Sequence, residues 1–265
     1  TSTSIVAAIE LNGVAIEFNK NAFAWGRQAA YDIELVQEAA GQAEDPTLDD
    51  RPLIDQFADE LITYQDEAYA ARYRALITRV QLAERTLKKS DLSDIVAHSF
   101  FKLLAYKDEY EVARLFTESA FSNKLAAQFE GNIKLSLHLA PPWLAERDPK
   151  TGHAKKKEYG SWMMSAFKIL ARLKGLRGTP FDPFSRLKER QIERRLIVEF
   201  ELLIDEILTS LTAQNYDIAC ELAKTSQSIR GFGHVKDASI IEAKAREKEI
   251  RKMYLNLSIQ QSAAE

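Results

Sequence analysis

The chain has 265 residues, 46% of them hydrophobic and 28% charged, with a formal net charge of −3; it is too apolar for intrinsic disorder and long enough to bury one large core or two moderate ones. Its single cysteine, Cys220, excludes an intrachain disulfide, a four-cysteine iron–sulfur cluster and a cysteine-rich zinc site from this chain alone, and fits a reducing, cytoplasmic setting. No apolar run approaches the roughly 18–20 residues that span a bilayer, and the basic and apolar regions of a signal peptide are missing, so no membrane is expected as a partner.

Residues 3–40 alternate short apolar-periodic pieces with the turn signal Asn12-Gly13 and read as two or three helices, with Ile16, Ala22, Phe23, Gly26 and Ala30 along one side. A segment rich in Asp, Pro and Gly follows, which divides the chain into a first region at residues 1–41, a linker at 42–52 and a helical domain at 53–265. From Leu53 to Leu87 there is no Gly or Pro, and Ile54, Phe57, Leu61, Tyr64, Ala68, Ala71, Ala75, Val80, Ala83 and Leu87 keep helical spacing. That pattern predicts one amphipathic helix of about 50 Å at 1.5 Å per residue. The stripe Leu196, Phe200, Leu203, Ile207, Leu211 is its natural antiparallel neighbour. Asp91 is expected to cap the next helix, running on through Lys107-Asp-Glu-Tyr110.

The period changes near residues 131–160. Ile133, Leu135, Leu137 and Leu139 alternate with Lys134, Ser136 and His138, as in a half-buried strand ended by Pro141-Pro142. Asp148-Pro-Lys-Thr-Gly152 reads as a turn and residues 155–159 as the returning strand, so a small β-hairpin is expected on the helical body. Helices resume at 161–174, 187–211, 214–224 and 236–254, with Thr212 as an N-cap and the last ten residues frayed. The fold class is therefore mainly α: a multi-helix bundle with one long helix and a small hairpin.

Reagents for chemistry are scarce. The four histidines, His98, His138, His153 and His234, show no HExxH or other ligand spacing, and GxSxG, Walker and GxGxxG signatures are missing. Neither a catalytic centre nor a metal site is expected in this chain. Charge is uneven: acids outnumber bases eleven to one between Glu34 and Glu67, whereas residues 155–195 hold twelve Lys or Arg against four acids. The cationic hairpin and the Arg230-Gly-Phe-Gly-His-Val-Lys236 turn, whose glycines allow close backbone approach, could hold an anion. Its candidate residues are His138, Lys155, Lys156, Arg177, Arg230, His234 and Lys236. The plainer role, a tight helix-to-helix turn and solvated faces, fits the same residues. Nucleic acid is not expected as a partner, because acids are interleaved and no aromatic ladder accompanies the bases. The carboxylates of Lys107-Asp-Glu-Tyr-Glu111 point different ways on a helix and are better explained by salt bridges to Arg114 and the basic helices than by acid–base chemistry.

Several blocks carry a family likeness. Glu10-Leu-Asn-Gly-Val-Ala15 with Asn19 and Ala22-Phe-Ala-Trp-Gly-Arg27 resembles the end of the gamma-type catalytic domain of 2-oxoacid:ferredoxin oxidoreductases. Ala105-Tyr-Lys-Asp-Glu-Tyr-Glu-Val-Ala-Arg-Leu115, Phe129-Glu-Gly131, His138 to Pro142, Leu176-Arg-Gly-Thr-Pro180, Glu193-Arg194 and Ile229 to Lys236 resemble the C-terminal helical region of the fused indolepyruvate ferredoxin oxidoreductases. Asp182-Pro-Phe-Ser185 departs from that pattern by carrying Ser where Gly is expected.

The resemblance implies part of an enzyme that oxidatively decarboxylates aryl or branched 2-oxoacids with thiamine diphosphate, magnesium and 4Fe-4S clusters. It further implies ferredoxin as electron acceptor, coenzyme A as acyl acceptor, and the remaining domains of the fused oxidoreductase as partners. None of the cofactor signatures lies in this chain, so the reaction centre is expected in a preceding part of the polypeptide or in another chain. Starting at Thr1, the sequence reads as a piece of something longer. The expected role is structural and docking, within a homo-oligomer, with an anion-binding module for coenzyme A phosphates or ferredoxin as the alternative. Phe23 and Trp25 in the first region predict association or partial disorder there.

Overall fold

The structure, a computed structural model, describes residues 1–40, 51–118, 123, 127, 135–139 and 155–262. The chain divides into two units, Thr1–Arg51 and Pro52–Glu265. Among the described residues both are helical, and the strands form a single two-stranded hairpin in the second.

The first unit holds three helices, α1 (Ser2–Asn12), α2 (Ile16–Tyr31) and α3 (Ile33–Ala39). Thr1 caps α1 through its side chain, Gly13 ends it at φ 70°, and Asp32 caps α3 by accepting the Leu35 N–H at 3.1 Å. Lys20 pairs with Glu10 at 2.6 Å, tying α2 to α1. None of the residues in these helices is buried. Ile16 and Phe23 are half-covered, while Ala22, Gly26 and Ala30, expected on the same side, are exposed.

In the second unit the expected 53–87 helix is two, α4 (Leu53–Tyr64) and α5 (Glu67–Leu87). Gln65 leaves helical geometry, and extended Asp66 caps α5 by accepting the Tyr69 N–H at 2.8 Å. The break resets the helical phase. Ala68, Ala71 and Ala75, assigned to the apolar stripe, are exposed, whereas Ala70, Tyr73, Ile77 and Val80 are buried. The same device divides the next segment into α6 (Asp91–Leu104) and α7 (Glu109–Thr117), where Asp108 caps α7. Neither break contains Gly or Pro; an aspartate that binds the backbone N–H groups ahead of it is enough. Asp91 is the first residue of α6 and not its cap. The Leu92 and Ser93 N–H groups are instead taken by the buried Glu84 carboxylate, at 2.6 and 3.1 Å.

Strands β1 (Leu137–Leu139) and β2 (Lys157–Tyr159) pair antiparallel, with Leu137 opposite Tyr159 and His138 opposite Glu158. Leu137 is buried and His138 exposed, as alternation requires. Pro141-Pro142, the 148–152 turn, His153 and the 129–131 block lie outside the described residues. Helices α8 (Met163–Arg172), α9 (Lys188–Thr209), α10 (Tyr216–Lys224) and α11 (His234–Ser262) follow. The 29-residue α11 runs eight residues beyond its expected end at Tyr254. Asn215, not Thr212, occupies the N-cap of α10, and the two residues bond reciprocally through their side chains and backbone N–H groups.

The main core lies among α4, α5, α6, α9, α10 and α11, with Leu61, Tyr73, Phe100, Leu104, Ile204 and Tyr254 almost fully enclosed. Each such apolar side chain contributes roughly 1.5–3 kcal/mol on burial. Arg72 of α5 pairs with Glu201 of α9, and Arg79 with Asp205. Later residues meet later residues, so these two helices run in the same sense where they touch, not antiparallel as expected. A satellite core of Ala113, Leu137 and Phe167 joins α7, the hairpin and α8.

Candidate functional site

The segment that follows α8 folds back onto the start of α7, and there three of the resemblance-bearing blocks, 105–115, 176–180 and 193–194, meet. A 3-10 turn, Leu173–Leu176, presents Arg177, and Gly178 reverses the chain at φ 74°, a conformation that disfavours any side chain. Arg177 donates from Nε and Nη2 to the two carboxylate oxygens of Asp108, at 2.5 and 3.0 Å, and from Nη1 to the Tyr64 carbonyl at 2.7 Å. Its guanidinium also stacks 3.7 Å from the Tyr64 ring centre. Both charged side chains are only 3% exposed. Asp108 meanwhile caps α7 through the Glu111 N–H at 2.8 Å, so one carboxylate fixes both a helix start and the returning chain.

Asp182 organises the next turn. It accepts the Gly178 N–H at 2.8 Å, the Phe184 N–H at 2.9 Å and the Tyr110 hydroxyl at 3.2 Å. Ser185, where the resemblance expects Gly, has its carbonyl bound by Arg194 Nη2 at 2.5 Å. Arg190 reaches Glu109 at 3.1 Å, Arg114 pairs with Glu111 at 2.8 Å, and Lys236 grips Glu193 at 2.6 Å. The carboxylates of 107–111 are thus salt-bridged, as their spacing suggested.

Burial, and then the Asp108 charge, pushes the Tyr64 phenol well up and that of Tyr106 up to about 12. Burial works against the Arg177 guanidinium, but its hydrogen bonds to Asp108 outweigh that and hold it above its ordinary value. At neutral pH the phenols keep their protons and Arg177 keeps its charge. Nothing here is poised to exchange a proton, and the arrangement acts as a cross-brace.

The seven residues singled out from the sequence do not converge. Arg177 is enclosed in the brace and Lys236 is held by Glu193. His138, Lys155 and Lys156 are exposed on and beside the hairpin, while Arg230 and His234 are exposed at the turn before α11. That turn has Gly231 at φ 91° and Gly233 at φ 54°, and the Ser239 hydroxyl clips it by bonding the Arg230 N–H and carbonyl at 3.1 and 2.9 Å. His98 is exposed, its ring edge-on to Phe57. Among the described residues no group of three or more His, Cys, Asp or Glu is placed to hold a metal, and no helix is long and apolar enough to cross a membrane. Sequence reasoning passed over an open groove of about 610 Å³ between α7 and α8, whose lining includes Arg114, Lys168, Arg172 and Lys174 with one acid, Glu118. The excess of bases in residues 155–195 was the signal that could have found it.

The chain belongs to a family of unknown function, DUF6537, whose model matches residues 51–249, three quarters of its length. No curated protein matches it. No solved structure matches it.

Proposed function

We propose that the chain is the C-terminal structural and docking part of a 2-oxoacid:ferredoxin oxidoreductase of the indolepyruvate type, with the reaction centre elsewhere in the enzyme. The observation that carries the structural role is the Arg177 brace. Blocks 105–115, 176–180 and 193–194, which bear the family likeness, supply its ion pairs and hydrogen bonds or the residues beside them. The charged residues of these blocks are then accounted for by internal bracing and need no substrate. The oxidoreductase part of the reading rests on the resemblance of those blocks. Thiamine diphosphate, magnesium, 4Fe-4S clusters, coenzyme A and ferredoxin belong to the whole enzyme on this reading, and the lone cysteine fits a reducing cytoplasmic compartment.

The test is the intact mass and co-purification of the chain from its native source, with iron and thiamine assayed on what accompanies it. Recovery with a polypeptide carrying iron and thiamine diphosphate supports the assignment; recovery as a free 30 kDa protein without them refutes it. A second reading, anion binding at the turn before α11, is favoured by one observation. The Lys102 ammonium is held below its ordinary range by burial and by the nearby Lys236 and Arg230 charges, so cations gather there. Arg230→Glu should then remove salt-sensitive coenzyme A binding, and unchanged binding would refute it.

A further inference from the structure

Helix α8 turns one face inward and leaves the opposite face uncovered. Phe167, Met163 and Leu170 enter the satellite core. On the far side, Trp162, Ile169 and Leu173 fall within about 40° of one another at 100° per residue. They are 63%, 62% and 43% exposed. Lys168 and Arg172 border this stripe on one flank, one helical turn apart, and pair with no carboxylate among the described residues. The Tyr159 and Trp162 rings meet edge to face at 6.1 Å, which joins the stripe to the hairpin and its exposed Lys155 and Lys156. Residues 155–178 contain seven cations and one acid, Glu158, whose carboxylate already accepts the Ser136 hydroxyl at 2.6 Å.

Beside the stripe lies the groove of about 610 Å³, with Lys168 and Arg172 on its α8 wall. Two further cations there are fixed in place. Arg114 is held by Glu111, Glu60 and Glu118, the last also on the groove wall, and Lys174 donates to the Thr63 and Ile62 carbonyls at 2.6 and 3.2 Å. Burial, then Arg114 and Arg177, lowers the Lys174 pKa, as expected where cations crowd.

We infer that the outer face of α8 docks an acidic, apolar-studded segment of a protein partner, its leucine or aromatic side chains on Trp162, Ile169 and Leu173 and its carboxylates over Lys168 and Arg172. Charge complementarity selects an anionic occupant. The concavity selects one with protruding side chains: a lipid surface is flat on this scale, and a three-turn helix anchored by its inner face offers only three side chains to it. Isoleucine and leucine do not stack on bases, which disfavours single-stranded nucleic acid. A helix or strand of about 15 Å matches the length of α8. This inference deepens the docking role proposed above by naming its surface and the chemistry of its partner.

The test uses the full chain and a fluorescent synthetic helical peptide with Leu and Phe on one face and Glu on the other, read by anisotropy. Binding should weaken with salt and fail when Lys replaces Glu in the peptide. It should weaken by about tenfold or more in Lys168→Glu/Arg172→Glu and, separately, in Trp162→Ala. All three residues are exposed, so circular dichroism should show both variants folded. Three results would overturn the inference: unchanged binding in both variants; no peptide binding but variant-sensitive binding to phosphatidylserine–phosphatidylcholine vesicles; or self-association that both variants abolish. None of these touches the oxidoreductase assignment, which stands or falls on the iron and thiamine that accompany the native chain.

Discussion

Arg177→Ala removes a guanidinium that makes three hydrogen bonds inside the protein. What it leaves behind sets the magnitude. Asp108, 3% exposed, keeps its negative charge with only the Glu111 N–H facing it, and the Tyr64 carbonyl loses its side-chain donor. Breaking a buried pair in this way costs about 3–5 kcal/mol. Asp108→Ala should cost a similar amount, since it strands the guanidinium and removes a helix cap worth about 1 kcal/mol. Arg177→Met/Asp108→Leu strands no charge and should cost less than either single change. Urea unfolding followed by circular dichroism at constant m gives the three values. A loss below about 1 kcal/mol in Arg177→Ala, or a double variant that costs the sum of the singles, would refute the brace as described.

Gly231→Ala should destabilise by about 1–2 kcal/mol, because φ is 91° there and a Cβ would sit 2.6 Å from Val235 Cγ1. Gly175→Ala meets nothing within 4 Å and should be neutral or slightly stabilising; thermal melts of the two should diverge in sign or size. Tyr216→Phe removes the 2.5 Å hydrogen bond to buried Glu84 and one of the two acceptors of the Leu92 N–H, and should cost about 1–2 kcal/mol; Glu84→Ala should cost more, because the Ser93 N–H loses its acceptor and the Leu92 N–H keeps only the Tyr216 hydroxyl. Equal stability of Tyr216→Phe and the parent in urea would refute that account. Burial pushes the Cys220 thiol up to about 11, so at pH 7 only about one thiol in ten thousand is ionised and alkylation by iodoacetamide should be slow, rising tenfold per pH unit and sharply on unfolding. The folded pKa lies above the unfolded one, so the stability linked to this thiol is intact below about pH 9 and is lost as pH rises through about 11. Rapid labelling at pH 7 in the folded state would contradict it.

Period and turn chemistry made the helical class, the hairpin and the positions of α9 and α10 legible in the sequence. Two helix breaks were missed for one reason: Asp66 and Asp108 interrupt runs that keep apolar spacing and contain neither Gly nor Pro. An aspartate reads as a surface residue until a helix is known to begin beside it. The phase slip at Asp66 then moved the assigned α5 stripe onto the exposed Ala68, Ala71 and Ala75. Arg177 was singled out for its charge, which pattern alone could not place; its partner Asp108 lies 69 positions earlier, and only the tertiary fold removes both from water. The outer face of α8 was hidden differently. Trp162, Ile169 and Leu173 look like core in a sequence, and only the burial of Phe167 on the opposite side reveals that they face solvent.

The first unit, with three helices and no buried residue among the described ones, has a calorimetric consequence. Unfolding raises the heat capacity in proportion to the apolar surface it newly wets, and here Leu11, Phe18 and Tyr31 are wet already. The measured increment should therefore reflect the 214 residues of Pro52–Glu265 and not the whole chain: about 2.6–3.2 kcal/mol/K, against about 3.2–4.0 for 265 residues at the usual increment per residue. Helical signal from residues 1–40 should then fade gradually on heating while the second unit melts in a single step.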